Sequence, residues 1–77
     1  SNGISIKAGF ATVDFSEANV KREAFSRCRQ RYVLADSSKF KRIFPVSFAK
    51  LEDATIITDM LTDPKYRELT TVIEVNS

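Results

Sequence analysis

The strongest candidate for chemistry is the polar run Asp36-Ser37-Ser38-Lys39, which follows directly on four apolar residues. Its two hydroxyls can donate hydrogen bonds to an oxyanion, and the lysine ammonium adds three donors and a positive charge. Backbone amides in a turn after a strand can also bind phosphate oxygens. Asp36 either accepts from sugar hydroxyls or only braces the turn. The run indicates an anion site, with an ordinary polar turn as the alternative.

Two other pairs of charged residues are weaker candidates. Lys21 and Arg22 lie in the second turn of a predicted helix and could reach a phosphate, although an exposed helix face is the alternative. Asp59 and Asp63 could be paired carboxylates. Nothing in the sequence brings these two together, and capping of a short helix explains Asp63 better.

The residue inventory excludes several kinds of site. The chain has one cysteine, Cys28, and no histidine, which excludes zinc fingers and Cys/His or Ser/His catalytic sites within it. It also lacks a Walker phosphate loop, a Rossmann glycine fingerprint and a nucleophile elbow. We therefore expect no catalytic residue, no metal and no cofactor. Cys28 is predicted to be a small buried residue of a helix.

Charge is distributed unevenly. Between residues 21 and 50 there are nine Lys/Arg and two acids, whereas residues 51–77 hold six acids and two bases. The basic middle either meets an anion or is a solvated helix face followed by a loop.

Helical periodicity runs from Glu17 to about Gln30, with Ser16 as the expected N-cap. A single apolar stripe is predicted on this helix: Val20, Ala24, Phe25 and Cys28. Before it, alternation around Ile4 and Ile6 indicates a short strand or an extended loop, and Gly9 permits a turn.

Four strands and one further helix are predicted after residue 30. The strands are Tyr32–Ala35, Val46–Phe48, Thr55–Thr58 and Thr71–Val75, and the helix is Pro64–Leu69 with Asp63 capping it. Continuous apolar strands are typical of parallel sheets that are covered on both faces. We therefore predict an α/β fold with a mostly parallel, layered sheet. Ligands bind beyond the carboxyl ends of such strands, where Asp36–Lys39 and Asp59 are expected to lie.

Length and hydropathy limit the class of protein. Seventy-seven residues make at most one domain, and a chain of this size buries only about 60% of its unfolded surface. No apolar run is long enough for a membrane span, and no signal peptide is visible. The lone cysteine fits a reducing compartment, so we expect a cytoplasmic protein without membrane partners.

Several motifs resemble the C-terminal effector domain of DeoR-family transcriptional repressors. In order along the chain these are Gly3-Ile4-Ser5, Gly9, Glu17-x-x-Val20-Lys21-Arg22, the run from Tyr32 to Phe40, and Ile56-Ile57-Thr58-Asp59. The resemblance covers the second half of such a domain, 1–77 being its C-terminal part. The helix-turn-helix that would bind DNA, and an upstream glycine-containing loop, are absent from these residues. Lactose and tagatose phosphate repressors are the group suggested within the family.

The resemblance implies a fold shared with ribose-5-phosphate isomerase and a pocket for a phosphorylated sugar. It implies that Lys39, with Ser37 and Ser38 beside it, contributes to this pocket. Lys21 stands where the isomerases have their catalytic glutamate. A lysine is a poor proton shuttle at neutral pH unless its pKa is strongly lowered, so this replacement favours binding without turnover. Lys41 departs from the family, which usually has glycine at that place.

Three functions follow as alternatives. The first is a sensor whose sugar phosphate ligand controls DNA binding through an N-terminal domain; the second is a sugar-phosphate isomerase. The third is an assembly surface, because uncovered sheet edges and apolar faces favour self-association, and we expect a homo-oligomer. The replacement at Lys21 favours the sensor.

Overall fold

A computed structural model describes residues 2–75 of the chain. Six strands and two helices form two small sheets with their connections. The strands are β1 (Asn2–Ser5), β2 (Gly9–Thr12), β3 (Tyr32–Leu34), β4 (Val46–Ala49), β5 (Thr55–Thr58) and β6 (Val72–Glu74), and the helices are α1 (Phe15–Arg27) and α2 (Tyr66–Leu69). Single 3-10 turns span Ser37–Lys39 and Leu51–Asp53. The predicted α/β composition is confirmed.

The first sheet is antiparallel, in the order β1-β2-β4. A tight turn joins β1 to β2 and ends at Gly9, whose φ of +72° lies in the left-handed region that glycine favours. A Cβ on Gly9 would also lie 2.4 Å from the carbonyl oxygen of Ala49 on β4. Glycine is therefore required here both by the turn and by the neighbouring strand.

The second sheet is parallel, in the order β3-β5-β6. Side chains alternate across it, so one row (Val33, Ile56 and Val72) faces the core. The row on the opposite face, Leu34, Ile57 and Ile73, is open to solvent at its ends, and Leu34 is 78% exposed. Phe40, Leu51 and Tyr66 lie in the connections between strands and pack against the face of this sheet that carries Val33, Ile56 and Val72.

Two sequence predictions about the sheets are wrong. The sheet is not mostly parallel, because Val46–Ala49 pairs antiparallel with β2 rather than with the other apolar strands. The strand that begins at Tyr32 is also not covered on both faces. Local apolar runs indicate strands, but the partner of each strand depends on the path of the whole chain.

The N-cap of helix α1 lies two residues before the expected one. Asp14, not Ser16, is the N-cap: its backbone is extended, and its Oδ1 accepts a hydrogen bond of 2.8 Å from the backbone N–H of Glu17. Ser16 lies inside the first turn. The Asp14–Glu17 spacing is that of an N-cap and the third helical residue, which an aspartate satisfies well.

The predicted stripe on α1 is only partly correct. Ala18 is buried, and Phe25 packs on Phe10 and Phe48 with ring centroids at 6.4 and 5.7 Å. Val20 is 70% exposed, and Ala24 and Cys28 are exposed as well. The helix ends at Arg27, so Cys28 is already outside it, and the helix rests on the antiparallel sheet along its Ala18–Phe25 face. The prediction of a buried cysteine is therefore wrong.

One buried cluster joins the two sheets. Its members are Ile4, Phe10, Phe40, Leu51, Ala54, Ile56, Tyr66 and Val72. A single parallel bridge between Ile4 and Phe40 connects β1 to the loop that leaves β3. Across residues 2–75, no helix combines the length and the apolar character that spanning a membrane requires.

Candidate functional site

The carboxyl ends of β3 and β5 meet at one edge of the parallel sheet. The loop Asp36–Lys39 leaves β3 there, and Asp59 follows β5. Asp59 Oδ1 accepts a hydrogen bond of 2.9 Å from the backbone N–H of Ser37. The structure therefore brings together the two polar segments that the sequence placed at this edge, and we refer to the residues Asp36–Lys39 as the effector loop.

Asp36 braces the effector loop. Its carboxylate caps the 3-10 turn by accepting a 2.9 Å hydrogen bond from the Ser38 N–H, and it also accepts from the Ser38 hydroxyl. These hydrogen bonds, together with the nearby charges of Lys39 and Arg42, hold the pKa of Asp36 below its ordinary value. Of the two roles open to Asp36, the structure displays turn bracing.

Lys39 lies at the rim of an open cleft of about 600 Å³. The cleft is lined by Leu34, Ala35, Asp36, Lys39, Ile57, Thr58, Asp59 and Val75. Its apolar lining residues are Leu34, Ala35, Ile57 and Val75, and its polar ones are Asp36 and Lys39 of the effector loop and Thr58 and Asp59 at the end of β5. Such a cleft can accept a ligand whose anionic end pairs with the Lys39 ammonium and whose less polar body lies against Leu34, Ile57 and Val75, whereas the carboxylates of Asp36 and Asp59 suit hydroxyl donors.

The structure does not place Lys21 with these residues. Its Nζ lies 6.0 Å from the ring centroid of Phe48, which is a cation–π contact on the antiparallel sheet. The neighbouring Arg22 donates to the carbonyl of Ser47 at 2.7 Å and so ties α1 to β4. Neither side chain lines the cleft.

Asp59 and Asp63 do not form a carboxylate pair. The same Asp59 oxygen that holds Ser37 also accepts from the Met60 N–H at 2.8 Å. Asp63 accepts from the Lys65 N–H at 3.0 Å just before α2 and lies 3.9 Å from the Lys41 ammonium. The predicted helix cap is wrong: α2 begins at Tyr66, its N-cap is Lys65 without a side-chain cap hydrogen bond, and Asp63 braces the turn at Pro64–Lys65 that precedes the helix.

Sequence reasoning missed the aliphatic lining of the cleft and the residues that hold its far side. The sequence predicts only strands at Ile57 and Val75, although the alternation of side chains along two neighbouring strands indicates that both lie on one face of the sheet. Glu74 was not singled out either. It accepts from the Leu61 N–H at 2.9 Å and pairs with Arg67 at 2.6 Å, which ties the segment after β5 to β6.

The architecture and the cleft define a class. Among residues 2–75, no group of three or more His, Cys, Asp or Glu side chains is arranged to hold a metal ion. The side chains that line the cleft supply one ammonium (Lys39), one hydroxyl (Thr58) and two carboxylates (Asp36 and Asp59), so Lys39 is the group in this lining that can attract an anion. This is a small α/β domain of the ligand-binding kind.

Comparison with known proteins identifies the family. The family model of the DeoR C-terminal sensor domain matches residues 1–60, and the chain belongs to that family. It is also 46% identical over 74 residues to an uncharacterised HTH-type transcriptional regulator, FruR, of Bacillus subtilis strain 168. That match covers 92% of this chain and 30% of the relative, so the chain spans less than a third of the relative's length. No solved structure matches the chain.

The family assigns the chain to the sensor domains of transcriptional regulators and not to enzymes, as the sequence predicted.

Proposed function

We propose that this domain binds a phosphorylated sugar in the cleft at the carboxyl ends of β3 and β5, and that the ligand controls DNA binding by the regulator to which the domain belongs. The observation that carries the proposal is the position of Lys39: its side chain lines the cleft beside the effector loop, whose start is held by Asp59. Membership of the sensor-domain family and the similarity to an HTH-type regulator support the regulatory half of the proposal.

In this proposal the phosphate contacts the Lys39 ammonium and the hydroxyl of Ser37. Asp36 and Ser38 shape the loop through their mutual hydrogen bonds, and the Ser38 hydroxyl reaches the ligand only by leaving Asp36. The sugar lies over Leu34 and Ile57. Lys21 joins the pocket only if its side chain leaves the Phe48 ring.

The whole regulator is proposed to contact DNA through an N-terminal helix-turn-helix domain, with residues 1–77 forming the C-terminal part of the sensor. A ligand changes DNA binding only if it has unequal affinity for two states of the protein. The regulator is proposed to act in the cytoplasm as a homo-oligomer. The fold of the complete sensor is proposed to resemble that of ribose-5-phosphate isomerase.

Calorimetric titration with ribose 5-phosphate and glucose 6-phosphate tests the role of Lys39. Losing one charge-assisted contact removes about 1.5–3 kcal/mol, so Lys39→Ala should weaken binding by about 10- to 100-fold. Lys7→Ala is the matched control, because Lys7 is an exposed lysine in the β1–β2 turn. Equal affinities of the Lys39→Ala and Lys7→Ala variants would rule out the proposed role of Lys39.

A further inference from the structure

The effector loop is held at both ends, and the two ends are held by different parts of the fold. At its start, Ser37 is bound by Asp59 of the parallel sheet. Beyond its end, the Phe40 backbone bridges to Ile4 of the antiparallel sheet, and the Lys41 N–H donates to the Ile4 carbonyl at 2.6 Å. Lys39 therefore lies between two attachments, one to the parallel sheet and one to the antiparallel sheet.

A buried tyrosine holds the second attachment. The Tyr66 hydroxyl donates to the same Ile4 carbonyl at 3.3 Å, and the Tyr66 ring packs edge-to-face on Phe40 with centroids 4.9 Å apart. Tyr66 is 1% exposed. Burial raises the pKa of Tyr66, so its hydroxyl remains protonated and able to donate at neutral pH. We call Ile4, Phe40, Lys41 and Tyr66 the Tyr66 anchor.

The anchor also holds a strained backbone. Lys41 has a φ of 65°, in the left-handed region that a lysine adopts at a cost. This conformation turns the chain immediately after the bridge to Ile4. Such a conformation persists only when the surrounding contacts over-determine it. The contacts available here are the Ile4 carbonyl and the Tyr66 hydroxyl, and the 3.9 Å contact of the exposed Lys41 ammonium with Asp63 adds little.

We propose that Tyr66 is a positioning residue for the effector loop: through Ile4, Phe40 and Lys41 it holds Lys39 at the rim of the cleft. This inference rests on the proposed function only for the identity of the ligand. Helix α2, which carries Tyr66, thereby becomes coupled to occupancy of the cleft. Such coupling is reciprocal, so binding at Lys39 stabilises the Tyr66 anchor in turn.

Tyr66→Phe is the informative variant because it removes the hydroxyl and keeps the ring on Phe40. Its matched control is Thr70→Val. The Thr70 hydroxyl also donates to a backbone carbonyl, that of Ala54, but at the opposite, amino-terminal edge of the parallel sheet. Both variants lose one side-chain hydrogen bond to the backbone, so a merely structural effect should appear in both.

The first measurement is amide hydrogen exchange of the ligand-free protein. Tyr66→Phe should accelerate exchange of the Lys39, Phe40 and Lys41 amides by at least about threefold relative to Thr70→Val, since these amides are bonded within the loop and to Ile4. Equal exchange at these amides in the two variants would overturn the inference, whatever the ligand does.

The second measurement is affinity for inorganic phosphate, with Lys39→Ala as the reference for non-specific salt effects. If the effector loop holds its binding conformation in only a fraction of the molecules, the apparent affinity for phosphate falls by that fraction. We therefore expect phosphate affinity to fall about three- to tenfold in Tyr66→Phe and to stay unchanged in Thr70→Val. An unchanged phosphate affinity in Tyr66→Phe, with clear binding by the wild type, would also overturn the inference. Equal phosphate binding by wild type and Lys39→Ala refutes the proposed ligand site instead, and the exchange result then decides the anchor by itself.

Tyr66 can also be followed directly. The chain has two tyrosines and no tryptophan, so Tyr32→Phe leaves Tyr66 as the sole strong emitter. Phosphate binding should change Tyr66 emission in this variant, and the change should disappear when Lys39→Ala is added. Constant Tyr66 emission in a Tyr32→Phe variant that binds phosphate saturably would contradict the coupling.

Discussion

The carboxylate of Asp59 accepts a hydrogen bond from the backbone N–H of Ser37 at 2.9 Å, across the ends of two neighbouring parallel strands. The same Oδ1 accepts from the Met60 N–H at 2.8 Å and from the Thr58 hydroxyl at 3.2 Å. One aspartate at the end of β5 thus orients its own turn and the start of the effector loop. Asp59 thus contacts the loop that carries Lys39, although Asp59 and Lys39 are 20 positions apart in sequence.

Replacing Asp59 by alanine should lower the free energy of unfolding. The carboxylate makes charge-assisted hydrogen bonds but is exposed, so we expect a loss of about 1 kcal/mol, at the lower end for such bonds. Urea unfolding measures it. Asp59→Asn keeps an acceptor oxygen and should lose less. Wild-type stability in Asp59→Ala would show that the loop does not depend on this contact.

The cap of α1 can be tested by two alanine substitutions. Asp14→Ala removes the acceptor of the Glu17 N–H and should cost about 1 kcal/mol of stability. Ser16→Ala lies within the first turn and should change stability by no more than a few tenths of a kcal/mol. Thermal or urea unfolding measures the stability of both variants. A larger loss of stability in Ser16→Ala than in Asp14→Ala would contradict the structure.

Lys41→Gly should stabilise the domain. Glycine adopts a φ of 65° without the steric cost that lysine has. The greater freedom of glycine in the unfolded chain offsets part of the gain, and the Lys41–Asp63 contact at 3.9 Å involves an exposed lysine, so its loss matters little. We expect a gain of up to about 1 kcal/mol, which corresponds to a rise in Tm of about 4–8 °C in a domain of this size.

Lys41→Ala is the control for that gain, because it removes the same charge and keeps the left-handed strain. A stabilisation of Lys41→Ala equal to that of Lys41→Gly would assign the effect to the side chain and not to the backbone.

Acid should destabilise the domain through Glu74. The hydrogen bond from the Leu61 N–H, followed by Arg67, lowers the pKa of Glu74 below its ordinary value of 4.5. The unfolded state therefore takes up this proton first as the pH falls, and the stability that Glu74 contributes is present above pH 4.5 and is lost below it.

Urea unfolding between pH 7 and pH 3 measures this loss, and Glu74→Gln should flatten the acid side of the profile. Glu68→Gln, at an exposed position of α2, makes the same change of charge. If Glu68→Gln reduces the loss of stability at acid pH as much as Glu74→Gln does, net charge and not the contacts of Glu74 controls stability in that pH range.

Local patterns predicted the elements better than their arrangement. The strand Thr55–Thr58 has the predicted bounds, and β3, β4 and β6 overlap their predicted segments. Apolar runs and capping residues act over a few positions, which is why they can be read directly. The pairing of β4 with β2, and the exposure of Val20 and Cys28, depend on contacts between distant segments and could not be predicted in this way.

By itself, the sequence determined the α/β composition, the family resemblance and the position of the effector loop after an apolar strand. These depend on residue types and on spacings within short segments, where turn formation and hydrogen-bonding capacity are local properties. The tertiary structure alone decided that Asp59 holds Ser37, that Lys21 lies on Phe48 away from the cleft, and that Tyr66 holds the far end of the loop. Each is a contact between residues at least 22 positions apart, and such contacts exist only when strands, helix and loops that are distant along the chain have packed together.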